Sequence, residues 1–475
     1  MSDDLNRTDD EASHARRPTP SHEATPRTSV ESPRTSVEST RAFVKKRRLF
    51  FALLAAAFLL RLAFGLCSQF QDSDTKQIYL LGLKFYTTGA WPFFGPDVVW
   101  GEIQIPGALQ ALLVGLPFHL LPFAEAPYVL LNLISFASLC LFAWYCCRRL
   151  PSLPRWFVWS WLLTSPWTLD LSTTIYNPSY LLAGGILFFV GALELYPFTR
   201  RGLVDARLAN ALMGFAVFWV MQLHMSWVVL APYALAALAF QFGESLRRGA
   251  SALAWFALGA APTAALLAPT YFKYGLAAGS GGTAAAVRLN TENLTALWGI
   301  LSRTLSFASF EVARFLGGHT SERLAFLSDE PWLAPFALFL FAVGVAQVAA
   351  LLAGWFVRRS EQRDWRAIKY LALANVLLLY ACFLFSIKPP QSNHLYVTLP
   401  VPVLYAFYCW ERLLARPRWR AFAKVVVACG IIFHAGLAAH NFSRISIYVD
   451  RRAAQSAIDS KDYRILGERR PGSLY

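Results

Sequence analysis

The sequence predicts an all-α, polytopic membrane protein. Three observations carry that reading. Of the 475 residues, 56% are hydrophobic and 15% charged, against about 25% charged in soluble domains. The mean hydropathy is +0.40. Apolar runs of about 17–25 residues, long enough to cross a bilayer as a helix, recur along the chain. An outer-membrane barrel would instead show alternating segments of about 10 residues.

The formal net charge of +15 raises nucleic acid as a partner. The placement of the positive residues argues against it. They fall in short segments between apolar runs: KKRR at 45–48, TRR at 199–201, RR at 247–248 and 358–359, and RPRWR at 416–420. This is the positive-inside pattern, so the lipid bilayer is the expected partner and nucleic acid is not. Six of the seven cysteines lie within apolar runs, with Cys67 at an edge, and no spacing suggests a disulfide framework or a metal site.

Residues 1–44 are acidic, then rich in Ser, Thr, Pro and Arg, with PRTSVES at 26–32 repeated at 33–39. Such a composition buries too little apolar surface to order itself, so a disordered cytoplasmic tail is expected. No cleavable signal peptide is visible. Residues 441–475 read as a short polar carboxyl-terminal tail.

Apolar segments fall near 49–67, 107–122, 127–147, 155–172, 179–197, 208–222, 225–242, 251–269, 331–357, 367–386, 396–413 and 420–438. Placing the basic clusters inside leaves one crossing too many. The segment 107–122 is short and carries Pro117 and His119. A re-entrant or interfacial segment suits it, because irregular backbone at membrane depth survives only inside protein or against a cavity. The expectation is about 11 spans, within a range of 10–13, with the amino terminus in and the carboxyl terminus out. Outer loops then fall near 67–126, 170–178, 269–330 and 387–395.

Those loops carry the candidate chemistry. Asp72 and Asp74 precede an amphipathic stretch in which Ile78, Leu81 and Phe85 recur at helical spacing. Carboxylates at a helix amino terminus are stabilised by its unpaired N–H groups, so a capping role for Asp74 stands beside a catalytic one. Glu102 follows on the same face, Asp170 and Asn177 enter from DLSTTIYNPS, and Lys388 and His394 from SIKPPQSNHLYVTLP. Acids from one loop beside cations from another can hold a phosphate-bearing donor next to a general base. Arg61 within the first run, His224 in MQLHMSW and Glu194 near the inner boundary are weighed as structural or cavity-lining. Arg303, Arg314 and His319 are candidates to shape acceptor access. The GSGG at 279–282 lacks a phosphate-loop continuation and reads as linker. Asn293-Leu-Thr matches a glycosylation sequon.

In order and topology, these features over residues 45–440 resemble the GT-C superfamily of polyprenyl-phosphate-dependent glycosyltransferases, with the protein O-mannosyltransferases and lipid A aminoarabinose transferases nearest. DSDTKQIYLLGLKFYTTGAW is similar to the acidic motif of their first outer loop, through Asp72, Asp74, Tyr79 and Gly89. GEIQIPG matches an acid followed closely by proline at Glu102 and Pro106, and KPPQSNHLYVTLP matches a basic residue and a Tyr, Lys388 and Tyr396, before a Pro-containing helix. TIYNPSYLL departs from the pattern, since Asn177 stands where many relatives have an acid.

The resemblance implies an inverting glycosyltransferase acting on the outer face of a bacterial inner membrane. Its donor would be a polyprenyl-phosphate-linked sugar, and its acceptor a protein, lipid A or another glycan. Asp74 or Asp72 would act as base. Glu102, Tyr79, Asn177, Lys388, His394 and Tyr396 would bind substrate, with Lys388, His394 or Arg288 supplying positive charge to the leaving phosphate. No cofactor is implied; a DxD-like pair can hold a divalent ion, but two acids are too few to argue one. The alternative is a transporter or flippase of a lipid-linked precursor. Transporters usually show internal repeats and polar residues near mid-membrane, and this chain shows neither clearly.

Overall fold

In lipid the backbone must pair with itself, so a chain this apolar folds as helices. The computed structural model describes residues 33–68, 73–97, 104–176, 178–275, 288–357, 363–386, 388–442 and 444–467. The chain divides into two units, Met1–Leu54 and Ala55–Tyr475. The described part of the first is the leading portion of α1, Pro33–Ser68. Residues 33–44 of the expected disordered tail are therefore helical, and residues 1–32 lie outside the described residues.

The second unit begins with the rest of α1 and continues with α2, Ser73–Thr88. A two-stranded antiparallel hairpin follows, β1 (Phe94–Asp97) with β2 (Gln104–Pro106), pairing Phe94 with Pro106 and Asp97 with Gln104. The segment 107–122 forms two short helices, α3 (Leu109–Gly115) and α4 (Pro117–Leu120). Pro117 cannot donate an amide hydrogen bond, so it ends one helix and starts the next. No continuous span crosses there. Then come α5 (Ala126–Arg149), α6 (Arg155–Thr164), α7 (Pro166–Thr173), α8 (Leu181–Leu195), α9 (Ala206–Met221), α10 (Trp227–Glu244) and α11 (Leu246–Tyr274). The expected third outer loop holds a 3-10 turn at Thr291–Ala296, α12 (Leu297–Ser306) and α13 (Thr320–Asp329). The chain continues through α14 (Ala334–Phe356), α15 (Arg363–Leu384), α16 (Ser392–Leu395), α17 (Pro400–Leu414) and α18 (Pro417–Phe442). It ends with α19 (Arg451–Asp459) and α20 (Arg464–Gly467).

Among the described residues, seven helices are long and apolar enough to cross a membrane. The other expected crossings are shorter or broken: α6 and α7 meet at Pro166, and α8, α9 and α17 have 15, 16 and 15 residues. The protein is an all-α polytopic membrane protein with one small hairpin.

Two packing details place the loops. Gly185 of α8 lies so close to the turn after α16 that an added Cβ would stand 2.3 Å from the Val397 carbonyl oxygen. Gly82 and Gly115 likewise bring α2 onto α3, where a Cβ on Gly115 would stand 2.6 Å from the Gly82 carbonyl oxygen. Small residues allow such approach between helices.

Arg61 is fully buried, and its Nη1 donates to the Leu163 carbonyl at 3.1 Å and Nη2 to Ser172 Oγ at 2.7 Å. It braces α1 against the broken crossing and does not snorkel to a membrane edge. Glu194 accepts from Tyr145 Oη at 2.8 Å and from the Arg201 and Leu203 amides at 3.1 and 3.0 Å, a structural role.

The stretch after α18 packs back on the first loop. Gln455 of α19 donates to the Pro122 carbonyl at 2.9 Å and Arg451 Nε donates to Glu125 Oε1 at 2.5 Å. α19 thus lies at the same end of the helices as α2, and Pro151 follows the opposite end of α5. With other accessible cysteines replaced, single cysteines at Asp97 and Ser456 should react with a membrane-impermeant maleimide from one side, and one at Pro151 from the other. Labelling of Ser456 and Pro151 variants from the same side would contradict this placement.

Candidate functional site

The site is built around the short segment between α15 and α17. Asn293 carries it: buried, its side-chain NH2 donates to the carbonyls of Phe383, Ser386 and Lys388 at 2.9, 2.9 and 3.0 Å. Asn290 adds a bond from Nδ2 to the Ser386 carbonyl at 3.1 Å. The sequon at Asn293 is therefore a buried loop anchor and not a glycosylation acceptor.

From this platform the side chains reach different segments of the chain. Arg314 Nη1 donates to Ser392 Oγ at 3.4 Å, and Asn393 Nδ2 donates to Tyr176 Oη at 3.2 Å. The His394 ring lies 6.0 Å from that of Phe383, stacked, and 5.7 Å from that of His224 in the α9–α10 turn. Lys388 is half-buried and faces the first loop. Burial lowers its ammonium pKa, and the Asp74 carboxylate, in the first turn of α2, acts in the opposite direction.

The electrostatics are those of a cationic basin. Burial lowers both Arg303 and Arg314; Arg314 adds to the effect on Arg303, whereas Glu311 opposes it at Arg314 and Arg323 reinforces it. Glu311 stands 3.5 Å from Arg314 Nε, and burial raises its carboxyl above the usual range. Among the described residues Arg303 has no carboxylate partner. Burial lowers His394 to about 4, with Lys388 and Arg303 adding to it. His224 falls to about 3, through burial, then His394 and Lys388. Both imidazoles are neutral at pH 7. His224 Nδ1 accepts from the Ser226 amide at 3.1 Å and His394 Nδ1 from the Gln391 amide at 3.4 Å. Those bonds assign the proton to Nε2, the tautomer being set by the partner of the other nitrogen.

The structure thus brings together Asp74, Lys388 and His394. It places Tyr79 and Tyr396 in bracing positions. Tyr79 Oη donates to the Ala124 carbonyl at 2.8 Å, and Tyr396, fully buried, donates to the Trp167 carbonyl at 3.0 Å. Asp72, Glu102, Asn177 and the GSGG lie outside the described residues. Asp170 is half-buried in α7. Arg288 and His319 are described, and His319 precedes α13 as its amino-terminal cap. Tyr176, which ties the second loop to the fourth, was not singled out from sequence; its place beside the quoted Asn177 is the signal that pointed there. Asp97 was missed too. Its carboxylate accepts from Gln77 Nε2 at 2.7 Å and Gln104 Nε2 at 2.8 Å, fastening the hairpin to α2. Among the described residues no group of three or more His, Cys, Asp or Glu side chains stands where a metal would be held.

The arrangement of helices is similar to that of a solved structure. The chain matches the structure of ArnT from Cupriavidus metallidurans bound to undecaprenyl phosphate, with a TM-score of 0.51 and 12% identity, over 88% of this chain and 75% of that one. The apo structure of the same protein gives a TM-score of 0.48 and 10% identity, over 89% and 75%. No protein-family profile matches the chain, and no curated protein matches it.

A folded-state imidazole held below its free value near 6.5 refuses a proton that the unfolded chain accepts. The stability this contributes is complete above pH about 6.5 and is lost as pH falls through that range toward about 4, the value for His394. His394→Gln should flatten the decline of the thermal midpoint between those pH values, as read by thermal unfolding in detergent; an unchanged profile would refute the assignment.

Proposed function

We propose that the chain is a glycosyltransferase that moves a sugar from a polyprenyl-phosphate donor to a hydroxyl acceptor at the outer face of a bacterial inner membrane. The observation that carries this reading is the electrostatic coupling of Asp74 to Lys388 across two loops, inside a cluster that also holds Arg303 and Arg314. The likeness to ArnT, described as bound to undecaprenyl phosphate, supports the lipid-phosphate half of the reading.

The chemistry follows from the charges. The acceptor oxygen attacks the anomeric carbon and its proton passes to a carboxylate, Asp74 or the neighbouring Asp72. The bond from that carbon to the phosphate oxygen breaks, and polyprenyl phosphate leaves with the electron pair. A single displacement of this kind inverts the anomeric centre. Negative charge grows on the leaving phosphate, where Lys388, Arg303 and Arg314 are already gathered and partly desolvated. Donors preorganised in this way need little rearrangement as the charge develops. The neutral imidazoles of His224 and His394 add N–H donors without adding like charge.

Magnitudes separate the catalytic role of Asp74 from a capping one. Losing a helix cap costs about 1 kcal/mol of stability. Losing one well-placed electrostatic donor costs about 10²–10³ in rate. The purified protein, given a radiolabelled polyprenyl-phosphate sugar and an envelope acceptor fraction, should transfer label. Lys388→Met should slow transfer by about 10²–10³, and Asp74→Asn should nearly silence it with a small change in thermal midpoint. Transfer at the parent rate by both Asp72→Asn and Asp74→Asn would refute the site. Movement of labelled lipid across proteoliposomes without transfer would favour a flippase instead.

A further inference from the structure

The last stretch of the chain, polar in composition, is built against both ends of α2. At the Asp74 end, Ile447, Asp450 and Ala454 line a small gap together with Thr75, Lys76 and Tyr79 of α2. The corner between α4 and α5 connects the two. There the Ala124 amide donates to Gln455 Oε1 at 3.3 Å, while the Ala124 carbonyl accepts from Tyr79 Oη at 2.8 Å. One peptide residue therefore links α19 to α2. Arg451 locks the same corner with two bonds to Glu125, Nε to Oε1 at 2.5 Å and Nη2 to Oε2 at 3.3 Å. This is the paired geometry that holds a guanidinium and a carboxylate in one orientation.

At the other end of α2 the contacts are reciprocal. The Lys84 ammonium lies 6.0 Å from the Tyr463 ring centroid, and the Lys461 ammonium lies 5.5 Å from that of Tyr86. Lys461 has a φ of 49°, a left-handed conformation uncommon outside glycine. The turn is closed by the Asp462 amide donating to the Ala457 carbonyl at 3.0 Å. By contrast, the approach of α2 to α3 is made at Gly82 and Gly115. Those glycines permit closeness, and residues 447–467 add their contacts to the Gln77–Asp97 bond and to the Tyr86 ring packed on Phe118 and His119.

We propose that residues 447–467 are a positioning strap. Through Arg451 and Gln455 at one end, and Lys461 and Tyr463 at the other, the strap sets the rotation of α2 and so aims Asp74 at Lys388. These are positioning residues, since none of the four is placed among the reacting groups. The proposal rests on Asp74 being the base, and its test has a readout that does not.

The full chain is reconstituted in lipid nanodiscs, with accessible native cysteines replaced and a nitroxide attached at Thr88→Cys. In Arg451→Glu the nitroxide should become more mobile. The rate at saturating acceptor should fall by about 10–100-fold with little change in KM, since misplacement near 1 Å costs about 10²-fold. The charge exchange Arg451→Glu with Glu125→Arg should restore both immobility and rate, which a generally unfolded variant would not do. Gln455→Leu should act in the same direction as Arg451→Glu. If Arg451→Glu leaves the nitroxide immobile, or if the exchange restores neither signal, the strap is refuted. If the nitroxide responds and recovers while no form of the protein transfers sugar, the strap stands and the reading of Asp74 as a base fails.

Discussion

The break between α6 and α7 is the constraint from which the site follows. Pro166 has no amide hydrogen and Ser165 is extended, with ψ of 151°, so carbonyls at the end of α6 lose their helical partners inside a crossing. An unpaired backbone group costs several kcal/mol in hydrocarbon. Here the groups are taken in turn. The Ser165 amide keeps the last helical bond, to the Trp161 carbonyl, while Thr168 Oγ1 donates to the carbonyl of Leu162 and the Arg61 guanidinium to that of Leu163. Beyond the break, Tyr396 donates to the Trp167 carbonyl. An arginine in the first crossing and a tyrosine beside the Lys388 loop thus hold the same bend. The bend leads α7 toward Tyr176, and Tyr396 stands in the turn that follows His394.

Charge is handled differently at the two ends of the helices. At the basic end, cations are matched within the protein. Arg149 is buried and reaches Tyr408, Tyr145, the Thr199 carbonyl and Asp364, while Asp364 also takes Arg201 Nε at 2.6 Å. A buried guanidinium is tolerable only when its donors are met in this way. At the loop end, Lys388 and Arg303 both act on His394 and Arg314 acts on Arg303, with Glu311 pairing Arg314 and Asp74 opposing Lys388. The two imidazoles stay neutral first because burial disfavours the charged form, and then because Lys388 and its neighbours would repel it. Such a cluster gains from an anion, and a phosphate is the anion whose geometry several converging N–H donors suit.

Much of this was legible in the residues. Apolar length gave the crossings, and parity of the basic clusters put the four loops on one face. The proline inside 107–122 announced the break between α3 and α4. Three kinds of information were not legible. The resemblance names Tyr79 and Tyr396 as substrate-binding residues, but sequence cannot say that their hydroxyls end on the Ala124 and Trp167 carbonyls. A three-residue sequon cannot show that Asn293 is buried under three carbonyls. Composition also underrated the carboxyl-terminal stretch, because its polar residues act by pairing with Glu125, Pro122 and Tyr86 and not by burying apolar surface. Each miss concerns a long-range polar contact, which leaves no periodic trace in sequence.

The match to ArnT spans 75% of that chain at 12% identity, so the shared part is an arrangement of helices and not a set of side chains. Here the first loop supplies the acid, the third the two arginines and the fourth the lysine. The proposed arrangement requires that α2 not roll, because Asp74 sits in its first turn and a rotation of one residue carries a side chain about 100° around a helix of 3.6 residues per turn. A single aspartate is therefore only as well placed as the contacts holding its helix. That is why the polar end of the chain belongs to the same argument as the cluster around Lys388.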